Sequence, residues 1–230
     1  MHFAMSDKPE SVFLLTGLAK EERNLAITLA VHGLFMFVSW GVLFPGGIIS
    51  ARFLKHANDH LWFKLHQYLQ YSGLGITFVA IIVAGAGLGG FDFSSSHVKF
   101  GIVAILLSLS QPINGYFRPK KPETGETGSN KRVIWECAHA MIGRVSLLFG
   151  IVGLFTGLKH FGEVHDSEIV ERLTWGLVLW ILISLSYVLY LEFKELRRRR
   201  RERNFSEANW ELGELDDAEL VDLLEADERL

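Results

Sequence analysis

The segment from Leu25 to Phe44, LAITLAVHGLFMFVSWGVLF, contains no Asp, Glu, Lys or Arg in 20 residues. A helix needs about 20 mostly apolar residues to cross the hydrocarbon core of a bilayer. Four further apolar stretches of at least this length follow in the 230-residue chain. The sequence therefore predicts an all-α, multi-pass transmembrane helical bundle. Its five spans are expected at about residues 25–44, 62–88, 97–116, 135–158 and 173–193.

Glycine and proline mark the expected ends of the first two spans. Pro45-Gly46-Gly47 is predicted to end the first span, because this combination of residues interrupts helices. Gly89-Gly90 is predicted to end the second span for the same reason. The glycines inside the spans are typical of membrane helices that approach one another, or a flat ligand, closely.

Polar segments flank the predicted transmembrane domain, residues 24–194. Residues 1–23 contain no compact apolar stretch followed by a cleavage site, so no secretory signal is predicted. Residues 195–230 form a tail that starts with five consecutive arginines, Arg197 to Arg201, followed by ten acidic residues between Asn204 and Leu230. The arginine run is typical of a topology anchor that contacts lipid headgroups, rather than of a nucleic-acid patch.

The loop charges predict the orientation of the chain. Five spans put the termini on opposite sides, and cytoplasmic loops carry the excess of lysine and arginine. One side has the tail and two loops rich in these residues: Arg52, Lys55, Lys64, Arg118, Lys120, Lys121, Lys131 and Arg132. The other side has fewer: Lys8, Lys20, Arg23, Lys99, Lys159 and Arg172. We therefore expect a cytoplasmic C-terminus and an N-terminus outside the cell or in a lumen.

Four of the nine histidines lie in or at the mouth of a predicted span, one in each of the first four: His32, His66, His97 and His139. Histidine is uncommon there because a polar ring in hydrocarbon needs a partner. Spans one and three start on the outer side, and spans two and four start on the cytoplasmic side. His32 and His97 are therefore expected in the outer half of the bilayer, and His66 and His139 in the inner half.

A pair of facing imidazoles in a dry bundle is a ligand set for haem iron. With both axial positions filled, the iron has no open site for oxygen, which favours electron transfer. The pattern therefore predicts a four-helix core with two haems and a fifth helix beside it. One haem near each face would divide a bilayer core of about 30 Å into shorter electron steps.

Three other interpretations of these histidines stay open. Each one can hydrogen-bond a neighbouring helix in a haem-free membrane scaffold. Zinc usually requires four converging ligands, and the spans supply no cysteine or carboxylate at depth. A proton relay normally recruits Asp or Glu as well, and the first four spans contain none before Glu136. The remaining histidines are expected to have no role: His2, His56, His60, His160 and His165.

Four stretches around the histidines resemble, in order, the cytochrome b-561 / ferric reductase transmembrane family. They are AVHGLFMFVSWGVLFPGGIISARFLK (Ala30 to Lys55), WFKLHQ (Trp62 to Gln67), QPINGYFRP (Gln111 to Pro119) and RVIWECAHAMIGR (Arg132 to Arg144). The resemblance covers about Leu25 to Tyr190. The P-G-G-x-x-x-A-R form of the first loop is most similar to members fused to, or working with, an extracellular DOMON domain.

The resemblance implies two non-covalent b-type haems, each held by two histidines in the pairs given above. It also implies electron flow from a cytoplasmic donor, often ascorbate, to an outer acceptor such as ferric iron or monodehydroascorbate. Many members have six spans, whereas five are predicted here, and their lysine-rich ascorbate motif is not clearly matched. The implied partners are a lipid bilayer, this donor and acceptor, and an outer redox protein or DOMON domain; a homodimer is left open. A conduit for such an outer domain, without reductase activity of its own, is the alternative.

Basic residues are expected around the inner haem, because its propionates and an anionic donor are both negatively charged. Arg132 and Arg144 are the predicted cofactor-binding cations, with Arg144 as a buried arginine inside span four. Four further residues on the inner side are the predicted donor-binding cations: Arg52, Lys55, Lys64 and Arg118. Membrane topology alone also explains positive loops on that side.

Overall fold

The computed structural model describes residues 9–55, 61–120, 130–163 and 167–214, with side chains from residue 17 to residue 210 in these ranges. All regular secondary structure in the described residues is helical, as the sequence predicts. It consists of α1 (Pro9–Met36), a π-helical segment (Phe37–Leu43), α2 (Phe44–Phe53), α3 (Leu61–Leu88), α4 (Ser96–Tyr116), α5 (Asn130–Phe161) and α6 (Ser167–Glu214). Five helical runs in these ranges are long and apolar enough to cross a membrane: Gly17–Phe53, Leu61–Leu88, Ser96–Tyr116, Asn130–Phe161 and Ser167–Trp210.

The first run does not end at Pro45-Gly46-Gly47, so this predicted boundary is wrong. The π-helical segment leads directly into α2, where Pro45 lies in the first turn. A proline is tolerated there because the N–H group that it lacks is not needed for the helix. The wider turn before it, in which the N–H of Phe44 donates to the carbonyl of Ser39, lets the chain continue. The helical run therefore extends to Phe53.

The second predicted boundary is confirmed. α3 ends at Leu88, and Gly89 and Gly90 both have positive φ angles, of 68° and 149°. Only glycine adopts such angles readily, so this pair turns the chain without strain. The turn continues at Asp92, whose carboxylate accepts hydrogen bonds from the N–H and hydroxyl of Ser94 at 2.8 and 2.6 Å. These bonds lower the pKa of the exposed Asp92 carboxyl.

The bundle is built from two packed helix pairs. α3 packs along α1, the π-helical segment and α2, while α4 packs against α5. The π-helical segment and α1 also contact α5 and so join the pairs. The buried centre contains Trp40, Phe44, Leu74 and Ala104, and the rings of Trp40 and Phe44 meet edge to face at 4.7 Å.

α6 begins at Ser167 and runs to Glu214, beyond the predicted end of the fifth span. The arginine run is thus helical, which its ion pairs explain. Glu195 accepts from Arg198 and Arg199 at 2.8 Å, one helical turn away. The chain divides into two compact units, Met1–Leu179 and Trp180–Leu230, and the α1–α5 bundle belongs to the first. The acidic residues beyond Glu214 lie outside the described chain.

Gly150 allows the closest helix contact at the centre of the bundle. A Cβ atom built on Gly150 would lie 1.8 Å from Cε3 of Trp40, an indole that is only 4% exposed. Because the buried indole has little room to move, we expect Gly150→Ala to destabilise the protein by about 1–3 kcal/mol through overpacking. Thermal unfolding in detergent measures this. Gly75→Ala is the control, since nothing lies within 4 Å of its Cβ position; equal melting temperatures for the two variants would contradict the prediction.

Candidate functional site

The structure brings the four span histidines together in two pairs. The rings of His32 and His97 have centres 6.0 Å apart and lie at 85° to each other. The rings of His66 and His139 have centres 6.4 Å apart and lie at 66°. These are the pairs that helix direction and depth predicted from the sequence. We name His32 and His97 the outer pair and His66 and His139 the inner pair, after the sides of the membrane predicted for them.

Hydrogen bonds to backbone carbonyls orient three of the four rings. His32 Nδ1 lies 2.9 Å from the carbonyl oxygen of Ala80, and His97 Nδ1 lies 3.0 Å from that of Gly153. His66 Nδ1 lies 2.8 Å from the carbonyl oxygen of Gly47. A carbonyl only accepts, so Nδ1 must donate in each case. In a neutral imidazole this leaves the lone pair on Nε2.

This arrangement is typical of histidine ligands to metals. Such ligands usually donate their second N–H to a carbonyl or carboxylate, which fixes the tautomer and makes the ring more basic. His139 differs, because its Nδ1 is buried and has no hydrogen-bond partner within the described part of the chain. Its ring is instead stacked on Trp135, with centres 5.1 Å apart and planes at 13°.

The distances between the paired rings fit one metal ion between them. An imidazole nitrogen lies about 2 Å from a bound transition metal, so two axial imidazoles on one iron have ring centres roughly 6 Å apart. Both observed separations agree with this value. Two protein ligands at each site suit a metal that brings its own equatorial ligands, as haem does.

The two histidine pairs are separated by the same interval along α3 and along α5. Fourteen residues separate His66 from Ala80 in α3, and fourteen separate His139 from Gly153 in α5. At 1.5 Å per residue, each interval corresponds to about 21 Å. Since Ala80 and Gly153 hold the rings of the outer pair, both helices place the pairs the same distance apart. This distance fits within a hydrocarbon core of about 30 Å.

A cavity of about 640 Å³ adjoins the outer pair, within the range of roughly 300–1,000 Å³ that is usual for cofactor sites. It is lined mainly by apolar side chains, with Trp40 and Phe37 among them. Gly33, Gly101 and Gly153 also line it, and a Cβ atom on any of them would meet nothing within 4 Å. The glycines thus leave open space beside His32 and His97, of the kind that a flat macrocycle requires.

Arginines and aromatic rings surround the inner pair. Arg132 is buried, and it donates from Nε to Glu136 at 2.8 Å and from Nη1 to the carbonyl of Pro119. The guanidinium of Arg118 lies over the rings of Phe63 and Trp135, at 5.3 and 5.9 Å. Its Nε is buried without a hydrogen-bond partner in the described chain. Burial, and then repulsion from Arg132, lower the pKa of Arg118, yet a guanidinium stays charged at neutral pH.

The other predicted basic residues are more exposed. The Lys55 ammonium lies 5.4 Å from the ring of Trp62, and the guanidinium of Arg52 lies 5.8 Å from that of Phe53. Lys64 is exposed. Arg144 is exposed as well, so no other part of the described chain covers it, and its part in haem binding stays a prediction. Five residues after His139, it lies about 140° around the helix from that histidine.

Some residues at the site were not found from the sequence. Trp135 was quoted only as part of a motif, and the carbonyl acceptors Ala80 and Gly153 carry no side-chain signal at all. His160, expected to have no role, lies with Arg172 among the residues that line the outer cavity. Its Nδ1 also lies 2.9 Å from a carboxylate oxygen of Glu163. His2, His56, His60 and His165 lie outside the described residues.

The comparisons with known proteins agree with this geometry. Residues 31–162 match the family model described as eukaryotic cytochrome b561. An Arabidopsis thaliana protein named as containing cytochrome b561, DM13 and DOMON domains is 47% identical over 98% of this chain and 25% of its own length. A cytochrome b561 and DOMON domain-containing protein of the same plant is 33% identical over 69% of this chain and 37% of its own length. Human ferric-chelate reductase 1 is 25% identical over 67% of this chain and 26% of its own length.

No solved structure matches the chain. The chain spans about a quarter to two-fifths of the length of the first curated relatives it matches. The family model nevertheless covers more than half of the chain, and all four paired histidines fall inside it. This chain therefore belongs to the eukaryotic cytochrome b561 family of transmembrane haem proteins.

Proposed function

We propose that this chain holds two b-type haems, one between His32 and His97 and one between His66 and His139, and carries single electrons across a membrane. The observation that carries the proposal is the pairing itself, with ring centres 6.0 and 6.4 Å apart. The hydrogen bonds from Nδ1 of three of these rings to carbonyls add to it, since they direct the Nε2 lone pair to a ligand role.

The chain's own residues determine what such a site does. Each histidine pair would hold one haem, and that haem would supply a one-electron couple. The mainly apolar walls of the outer cavity and the buried Trp40 give the outer pair weakly polar surroundings. The backbone hydrogen bonds hold the ligand rings in place. A haem held by two histidines would favour electron transfer over oxygen chemistry.

The proposed direction is from a cytoplasmic donor near the inner pair to an acceptor near the outer pair. The inner pair lies beside Arg118 and Arg132, with Lys55 on the adjoining loop, and such cations suit an anionic donor, for which ascorbate is the candidate. For the acceptor we propose ferric iron, monodehydroascorbate or a partner redox protein. The name of the human relative, ferric-chelate reductase 1, supports ferric iron.

A second candidate is an electron conduit that serves a separate outer redox domain and has no reductase activity of its own. The names of two plant relatives, which combine cytochrome b561 with DOMON domains, favour it. Reduction of a ferric chelate by the haem-loaded chain alone, in vesicles with ascorbate inside, distinguishes the candidates. Reduction of the chelate at the rate at which the haems are oxidised supports a reductase activity of the chain itself. Haems that become reduced but deliver no electrons to the chelate support the conduit.

The ligand pairs lead to a direct prediction. His66→Ala removes one ligand of the inner pair, so one haem per chain should be lost while the haem at His32 and His97 remains. His97→Ala should remove the other haem in the same way. Haem per chain and the reduced-minus-oxidised spectrum of each variant measure this. Loss of the same spectral component in both variants would contradict the pairing, and a wild-type protein without a Soret band would contradict haem binding itself.

The space beside the outer pair leads to another prediction. Gly101 is one turn after His97 and lines the cavity, and nothing lies within 4 Å of its Cβ position. Gly101→Leu, whose Cβ meets no neighbour, should therefore place its side chain in the cavity, exclude the outer haem and leave the inner haem bound. Haem quantification with a thermal unfolding curve checks this. The control is Gly75→Leu, which also meets open space but does not line the cavity; two haems per chain in Gly101→Leu would show that the cavity is not the outer haem site.

A further inference from the structure

Trp135 and His139 form a stack at the inner end of α5. Their ring centres are 5.1 Å apart and their planes differ by 13°. Residues four apart in a helix are neighbours on its surface, so the indole of Trp135 lies directly against the imidazole. This is the contact that His139 makes in place of the backbone hydrogen bond of the other three histidines.

The indole is itself held firmly. Its Nε1–H donates to the carbonyl oxygen of Asn114 at 2.9 Å, which ties the ring to the end of α4. The guanidinium groups of Arg118 and Arg132 lie 5.9 and 5.7 Å from its centre. A cation placed over an indole is attracted by the negative face of the ring. The orientation of Trp135 is therefore set by three neighbours that are independent of His139.

The other inner histidine shows that the stack is not a general consequence of the spacing. Trp62 precedes His66 by four residues, as Trp135 precedes His139. The Trp62 ring nevertheless packs on Phe63 at 5.5 Å and receives the Lys55 ammonium at 5.4 Å. His66 has its own hydrogen bond to the carbonyl of Gly47. The tryptophan at this position thus stacks on His139, for which the described residues supply no carbonyl partner, and does not stack on His66, which has one.

We propose that Trp135 is the positioning residue for His139: its indole sets the plane of this imidazole, the role that backbone carbonyls have for His32, His66 and His97. This rests on the proposed function only in taking His139 as an axial ligand. A histidine whose N–H meets no acceptor is a less basic ligand than one hydrogen-bonded to a carbonyl. The inner pair therefore combines one more basic and one less basic imidazole, whereas both outer rings are hydrogen-bonded.

The proposal predicts what removal of the indole does. Without it the imidazole can rotate, and water can reach its N–H, which makes the ring more basic and stabilises the ferric state. Trp135→Ala should therefore shift the low-spin electron paramagnetic resonance signal of the inner haem and lower the midpoint potential of that haem. Trp135→Phe retains an aromatic face and should restore most of both properties. The outer haem should be unchanged in both variants.

The experiment uses the full haem-loaded chain in lipid nanodiscs, with Trp62→Ala as the matched control at the same end of the bundle. Trp62→Ala should leave the inner haem signal and potential as in the wild type. The proposal is overturned if Trp135→Ala leaves both inner haem properties unchanged, or if Trp62→Ala changes them equally. If Trp135→Ala loses the inner haem, retention of that haem in Trp135→Phe supports the proposal, and equal loss in both variants refutes it.

His139→Ala, measured in the same series, separates this inference from the proposed function. Loss of the inner haem in His139→Ala, with wild-type behaviour in Trp135→Ala, would refute the positioning role alone. Retention of both haems in His139→Ala would refute the ligand assignment itself. The outer haem, present in every variant that folds, reports whether the bundle is intact.

Discussion

The hydrogen bond from a histidine Nδ1 to a carbonyl of a neighbouring helix is the interaction on which the bundle depends. It joins α1 to α3 at Ala80, α3 to α2 at Gly47 and α4 to α5 at Gly153. A polar ring between membrane helices is costly unless it is hydrogen-bonded. Each bond meets that requirement, determines the tautomer and fixes the rotation of one helix relative to the next. The hydrogen bonds that hold the helices together therefore also orient the histidine rings of the site.

The sequence predicted the two histidine pairs because depth in a span follows directly from residue number. It did not predict which way each ring faces around its helix, because the acceptors are backbone carbonyls of Ala80, Gly47 and Gly153, and any residue has a carbonyl. Arg144 is a second example. Its depth in span four predicted a place at the site, but its exposure depends on which way that side of α5 faces, and residue number does not give this. Pro45 was misjudged because the π-helical turn that accommodates it has no clear signature in the sequence.

The two ends of the bundle provide different environments for similar histidine pairs. The outer pair adjoins a cavity with apolar walls and open space in front of several glycines. Around the inner pair, arginines lie over aromatic rings, and His139 stacks on an indole and has no carbonyl partner in the described part of the chain. Nearby positive charge and ligand basicity both alter the stability of a reduced metal centre. The two pairs therefore differ in the residues around them, although all four ligand candidates are histidines.

The interval of about 21 Å between the pairs limits how many such layers one bundle accommodates. Fourteen residues make nearly four helical turns, so a ring at one layer and a carbonyl at the next lie on the same side of the helix. A third layer would need the same interval again and would extend to about 42 Å, past the roughly 30 Å of hydrocarbon that keeps the site dry. A third layer at the interval seen here would therefore lie outside the hydrocarbon core.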